Sequence, residues 1–275
     1  MTDPNLVYIY AVLRPTPEAT AAVTQLRGVA GEPVHLVAPA AGTHRLAFAV
    51  GHVPAADYAE APLAAHLDDL DWLESTVRSH HAVVAALVGC GAAVLPLRLA
   101  TVYLDEDSAR QALDTRRDYF LSLLERLTGH VELGVKLYAT PDITPPDADA
   151  DAAREQPTGL GAGRAYLSIR RRRQRRNEEA WRTVAQAAAH LTETARALAV
   201  DRVAHSPQRG SLAGPGPGTN VGNDAYLVRA DRVDAFRTGI LAAAEGVPGL
   251  RVEVTGPWAP YSFALQPEPQ SETAA

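Results

Sequence analysis

A chain of 275 residues, 47% apolar and 21% charged, is long enough for two domains of ordinary size, each with a real core, and its composition belongs with globular rather than disordered, collagen-like or membrane-spanning chains. A formal net charge of −6 speaks against a general affinity for nucleic acid, because phosphate binding needs a surplus of Lys and Arg on one face. Cys90 is the single cysteine, so no internal disulfide can form and a reducing cytoplasm is the expected compartment.

The first apolar run, "LVYIYAVL", lacks a basic preface and ends at Arg14-Pro15, unlike a secretory signal. Its β-branched and aromatic residues predict a strand over 6–13, buried on both faces. A short helix is expected near 17–27. Two further strands follow, "PVHLVA" and "THRLAFAVGHV", with Ala41-Gly42 as the turn between them. From 69 to 88 the residues Leu70, Leu73, Val77, Val84 and Leu87 or Val88 recur at helical spacing behind an acidic first turn. The uncharged stretch over 82–97 falls short of the roughly 20 residues a membrane-spanning helix needs. Strand character returns in "AAVLPLRLATVYL". A second helix is expected over 105–128, with Ala109, Leu113, Phe120, Leu124 and Leu127 on one face and Gly129 as its stop. "VELGVKLYA" then alternates as a half-buried strand.

Residues 140–162 are dense in Pro, Asp and Gly without apolar periodicity and read as a linker. The expected division is an N-terminal α+β domain over 1–139, that linker, a C-terminal domain over 163–258 and a tail over 259–275. In the second half "RAYLSI" reads as a strand, and Trp181, Val184, Ala188, Leu191, Ala195 and Leu198 form the apolar seam of a helix. The strands "VDRVAHS" and "DAYLVRA", separated by a Gly/Pro-rich loop, lead to a helix over 231–245 and the strand "LRVEVTG". That β-α-β-β-α-β order is the split βαβ arrangement of ferredoxin-like folds. The first half starts with a similar order.

Catalytic motifs are scarce: there is no nucleophile elbow, zinc-protease helix, phosphate loop or paired-cysteine motif. His80 and His81 are neighbours on a helix, so their side chains diverge by about 100° and do not share one metal ion readily. His81 is placed near the apolar face, where Glu74 would pair with it. "GLGAGR" over 159–164 lacks the strand-before, helix-after context of a dinucleotide site and reads as linker. "RRRRQRR" over 170–176 is the strongest charge feature, read as a solvated face or as a surface for an acidic partner.

Together "YIYAVL", "LESTVRSHHAVV", "VLPLRLATVY", "ELGVK", "GRAYL", "NDAYLV" and "VTGPWAPYSF" are similar to the gas vesicle protein GvpL/GvpF family, in order and over nearly the whole chain. "GPWAPYSF" and "LPLR" are the most specific. Where members commonly carry a second Pro after the Trp, this chain has Ala259; where they carry Phe-Gly after "LPLR", it has Leu99-Ala100.

The resemblance implies an accessory or minor structural protein of gas vesicles, the protein shells that give cells buoyancy. It implies binding to the main hydrophobic shell protein, and to other gas vesicle accessory proteins, in nucleation or assembly, without catalysis, metal or cofactor. The implied fold is α+β in two domains, the second a modified ferredoxin-like sandwich whose C-terminal tail packs back on the first. Pro257, Trp258, Tyr261 and Phe263 are the expected anchors, each large aromatic burying about 150–250 Å², either on the chain's own first domain or on a shell subunit. Arg98 and Arg170, Arg171, Arg172 and Arg173 are further candidates for partner contact. Two alternatives stay open: an enzyme on a ferredoxin-like fold using His80, His81, Glu74 and Arg98, and a nucleic-acid binder through Arg170 to Arg176.

Overall fold

The computed structural model describes residues 5–40, 45–140, 162–207 and 218–264. The expected Ala41-Gly42 turn, residues 141–161 of the expected linker and all of the "GPGPG" stretch but Gly218 fall outside them, and the linker's expected end at 162 is already helix. The chain forms two compact units, Met1–Glu132 with Pro257–Ala275, and Leu133–Gly256. It is mixed α+β with two antiparallel sheets.

The first unit is built on β1 (Asn5–Leu13), buried at every position after Asn5. Then come α1 (Pro17–Val23), β2 (Val34–Val37), β3 (Ala47–Pro54), the short α2 (Ala55–Tyr58), α3 (Glu60–His66) and α4 (Leu70–Gly89). After these lie β4 (Val94–Pro96), β5 (Val102–Tyr103), α5 (Glu106–Thr115) and α6 (Arg117–Leu127). The sheet order is β2-β3-β1-β4, with β5 also paired to β1. A register shift between Ile9 and Ala11 turns Leu6, Tyr8 and Tyr10, then Ala11 and Leu13, toward one core, as a bulge does by adding one residue to one strand. Val83, Val84 and Leu87 of α4 and Ala19 and Val23 of α1 close that core. On the opposite face Phe48 of β3 meets Phe120 of α6 edge-on, ring centroids 5.9 Å apart. Helices on both faces explain why β1 reads as an unbroken apolar run.

Three expectations for this unit change. The buried face of α4 is Thr76, His80, Val83, Val84 and Leu87, while Leu70 is 77% exposed and Val77 also lies outside. Apolar spacing mis-phased the helix because its inward face meets tyrosine hydroxyls, Tyr8 of the sheet at His80 and Tyr58 of α2 at Thr76. The helix expected over 105–128 is two, broken at Arg116 (φ −106°, ψ 18°). All five apolar residues named for it are nonetheless buried, joined by Leu123. The strand expected over 92–104 is divided into β4 and β5 by a turn at Ala100, which has φ 60°.

The second unit's sheet, in order β7-β8-β6-β9, comes from β6 (His130–Ala139), β7 (Asp201–Ala204), β8 (Thr219–Arg229) and β9 (Leu250–Trp258). Its helices are α7 (Ala162–Leu198) and α8 (Val233–Ala244), the latter entered through a 3-10 turn at Ala230–Arg232. Leu133, Val135 and Leu137 of β6 and Tyr226 and Val228 of β8 share a core with Leu191 and Ala195 of α7 and Phe236 and Ile240 of α8. Two corrections concern this sheet. "RAYLSI" is not a strand but the opening of α7: from 164 to 198 the sequence carries no Gly or Pro and is rich in Ala, Arg, Leu and Glu, so helix propagates through it. The first strand of the sheet is β6, which sequence alone assigned to the preceding segment.

Candidate functional site

The C-terminal segment and its seat belong to the first unit. Ala259 and Pro260 are buried, and Ala259 and Tyr261 pack in the Tyr8 core. Residues Tyr261–Ala264 form one turn of helix, α9, packed against β4. The Glu132 carboxylate receives the Ser262 backbone N–H at Oε2 and the Ser262 hydroxyl at Oε1, both at 2.8 Å. It thus caps the turn through two charge-assisted hydrogen bonds. Phe263 is only 2% exposed, whereas Trp258 is 44% exposed, with its indole near edge-on to His81 at 5.3 Å. Pro257 is exposed. Of the expected anchors, Tyr261 and Phe263 hold the segment down, while Trp258 lies at the surface with Pro257.

His80 lies beneath this segment, 3% exposed. The Ala100 N–H donates to Tyr8 Oη at 3.1 Å, and Tyr8 Oη lies 2.9 Å from His80 Nδ1. Burial pushes the His80 pKa down to about 4; the Leu97 backbone pulls the other way and His81 adds a smaller push down. The same burial raises the phenols of Tyr8 and Tyr261 and takes Tyr10 up to about 12. Tyr10 Oη accepts the Val29 N–H at 2.9 Å, in a recess where a Cβ added at Gly28 would sit 2.2 Å from that oxygen.

Of the four residues of the enzymatic alternative, His80 and His81 both face the Tyr261 ring, at 6.1 and 6.2 Å. Glu74 pairs with Arg78 on the exposed side of α4, so the expected Glu74–His81 pair is not formed. His80, rather than His81, is the buried imidazole. Arg98 is exposed, and its carbonyl accepts the Thr101 hydroxyl at 2.8 Å.

In the second unit the Arg run lies on α7. Arg170, Arg171, Arg172, Arg175 and Arg176 are exposed; the Arg173 side chain is outside the described residues. Arg171, Arg172 and Arg175 line a shallow groove with Leu167 and Ser168, the i, i+4 spacing putting Arg171 and Arg175 on one face. A separate pair lies on β7 and β8, where Arg202 donates to Asp224 Oδ1 at 2.9 Å and Tyr226 to Asp224 Oδ2 at 3.3 Å. Burial raises the Tyr226 phenol to about 12.

Sequence reasoning passed over one further group. His35 of β2, His52 of β3 and Glu106 of α5 offer ligand atoms that all lie within 4.8 Å of one another. The alternation in "PVHLVA" and "AVGHV" placed both histidines on strands, but which strands pair, and in what register, is not written locally.

The family model described as "Gas vesicle synthesis protein GvpL/GvpF" matches residues 6–265. The chain is 42% identical over 271 residues to gas vesicle protein L of Streptomyces sp. (strain CB03234), covering 96% of this chain and 94% of that protein. It is 28% identical over 190 residues to gas vesicle protein F of the same strain, covering 66% of this chain and 75% of that protein. The crystal structure of the gas vesicle protein GvpF from Anabaena sp. PCC7120 is similar with a TM-score of 0.64 at 17% sequence identity, over 96% of this chain and 97% of that one.

Proposed function

Since the chain belongs to the GvpL/GvpF family of gas vesicle synthesis proteins, we propose that it is an accessory or minor structural protein that binds the main gas vesicle shell protein and assists nucleation or assembly. The observation that carries this reading is the family match along almost the entire chain. A shell subunit apolar enough to keep water out of a gas-filled lumen aggregates when released uncovered, so its delivery calls for a protein that masks or nucleates it. Trp258 supports the assignment of a contact surface: a large aromatic left exposed, beside the half-buried Tyr261 and the buried Phe263 that fix its backbone, has the character of an interface anchor. The Arg170–Arg173 face of α7 is the candidate for a polar or acidic partner, including other gas vesicle accessory proteins. No catalytic step or cofactor is part of this proposal, and its place of action is the gas vesicle and the surrounding cytoplasm.

On the same reading the second unit is a modified ferredoxin-like domain. Its β6-α7-β7-β8-α8-β9 chain order supports this, and so does its sheet order, in which the first strand lies between the third and the fourth.

The test is vesicle formation in cells. Deleting the gene is expected to reduce the number of vesicles seen by electron microscopy, and the wild-type gene to restore it. Normal vesicles in the deletion strain, with family paralogues also removed, would refute the role.

A further inference from the structure

We propose that His35, His52 and Glu106 form a binding site for a late first-row divalent cation of the zinc type on the surface of the first unit. This goes beyond the gas vesicle reading and does not depend on it.

The site is assembled by the fold. His35 is paired across β2 and β3 with Val50, and His52 stands two residues further along β3, so the two imidazoles are diagonal neighbours on one face of the sheet. Their rings stack at 5.2 Å with 23° between planes. Glu106 is the first residue of α5, whose N-terminal turn Asp105 caps by accepting the Ser108 N–H at 2.7 Å. Both Nε2 atoms converge on one carboxylate oxygen: Glu106 Oε1 lies 2.9 Å from His35 Nε2 and 3.8 Å from His52 Nε2. The other oxygen, Oε2, takes Arg110 at 2.7 Å, and Arg110 also holds Asp107 at 2.8 Å.

An ordinary ion pair does not account for this arrangement. Glu106 Oε1 hydrogen-bonds one imidazole, while the second, at 3.8 Å, is beyond hydrogen-bond reach yet aimed at the same point. Two protonated rings stacked at this distance would repel. The fold instead brings His52 Nε2, His35 Nε2 and Glu106 Oε1 to one place, with His35 Nε2 donating its hydrogen to Oε1; a cation among the three atoms would replace that hydrogen. Zinc takes imidazole nitrogen and carboxylate oxygen at about 2.0–2.2 Å, and two His with one Glu is an established donor set that leaves a position for water. The three ligand atoms are already close enough for small rotamer adjustments to reach those lengths. On binding, His35 gives up its Nε2 proton to solvent and takes one at Nδ1, so that the ring stays neutral with its lone pair at Nε2. The Arg110 contact orients the carboxylate, as partners behind metal ligands do, leaving Oε1 to bind through a single oxygen. Two imidazoles select zinc, cobalt or nickel over magnesium and calcium, which prefer oxygen ligands alone. All three side chains are partly exposed, so the ion enters from solvent. Bound there, it ties the sheet edge at β2 to the start of α5.

The experiment uses the full chain, stripped with a chelator and titrated with cobalt(II), read by its visible d–d absorption, and then with zinc in competition. One equivalent is expected to bind, with magnesium and calcium failing to displace it and thermal unfolding moving upward on zinc addition. His52→Gln and Glu106→Gln are each expected to weaken zinc binding by about tenfold or more, whereas His190→Gln on α7 leaves it unchanged. Circular dichroism checks that the variants fold. Should a variant unfold, imidazole 1H–15N spectra of the wild type serve instead, with the rings of His35 and His52 shifting on zinc addition. Absence of saturable binding, or undiminished binding in a folded His35→Gln/His52→Gln protein, or zinc-induced shifts at other histidines alone, would overturn the proposal.

Discussion

The two units wind their strands alike yet are held together differently. In each, strands numbered within the unit lie in the order second, third, first, fourth, as β2-β3-β1-β4 and as β7-β8-β6-β9. In the second unit Leu133, Val135 and Leu137 pack against Leu191, Phe236 and Ile240, and the core between sheet and helices is mostly apolar, its described buried polar residues being Asn220 and Asp224 of β8. In the first, the central strand turns Tyr8 and Tyr10 inward against His80, and three polar groups in sequence, the Ala100 N–H, the Tyr8 hydroxyl and His80 Nδ1, occupy the interior. One winding path therefore tolerates either an apolar core or a core threaded by hydrogen bonds. The second kind depends on protonation, because each buried polar group must keep its partner.

The largest effect expected from this contrast is on the apolar side. Phe236→Ala empties the centre of the second core, where Phe236 is fully buried and its ring lies 5.5 Å from that of Tyr226. A loss of about 3–5 kcal/mol is expected, read as faster hydrogen exchange across residues 133–256 with exchange elsewhere less affected. Equal loss of protection in both units would mean that they unfold as one.

Next comes acid. The folded His80 pKa, about 4, lies below the ordinary value, so between pH 6.5 and 4 the unfolded state binds the proton that the folded state refuses. Stability is then full above about pH 6.5 and falls as the pH drops toward 4, by on the order of 3 kcal/mol in total. Hydrogen exchange followed from pH 7 to pH 5 is expected to show the first unit losing protection ahead of the second. His80→Gln should flatten that slope, and an identical slope in the variant would remove His80 as its source.

The smallest effect is a gain. Ala100 is the only non-glycine residue with positive φ among those described, at 60°. A side chain in that region costs about 1–2 kcal/mol, against which glycine brings extra freedom to the unfolded chain. Ala100→Gly should raise stability by about 0.5–1 kcal/mol in a denaturant melt, with the hydrogen bond to Tyr8 kept. Destabilisation would mean that the turn holds alanine without strain.

How much of this could be read beforehand follows from what each feature depends on. β1, the apolar face of α5 and α6, and the stop at Gly129, which has φ 73°, are written in neighbouring residues and were legible. So was the density of anchors in "GPWAPYSF", although not that Phe263 would be buried while Trp258 stayed at the surface. The phase of α4 was misread because apolar spacing cannot register a polar side chain that goes inward to meet a tyrosine from a strand 72 positions away in sequence. The start of α7 was misread because three alternating apolar residues imitate a strand when the long helix behind them is overlooked. The convergence of His35, His52 and Glu106 depends on strand register and helix docking, neither of which a linear pattern carries.

The most direct test of the functional account is a binding measurement. The full chain, immobilised, is presented with the co-encoded shell protein kept soluble by a fusion partner, alongside the fusion partner alone. Saturable binding of the shell protein is predicted, weakened at least severalfold by Trp258→Ala in a variant that melts at the wild-type temperature. If the shell protein binds no better than the fusion partner, under conditions in which an established assembly factor binds it, the central claim is contradicted.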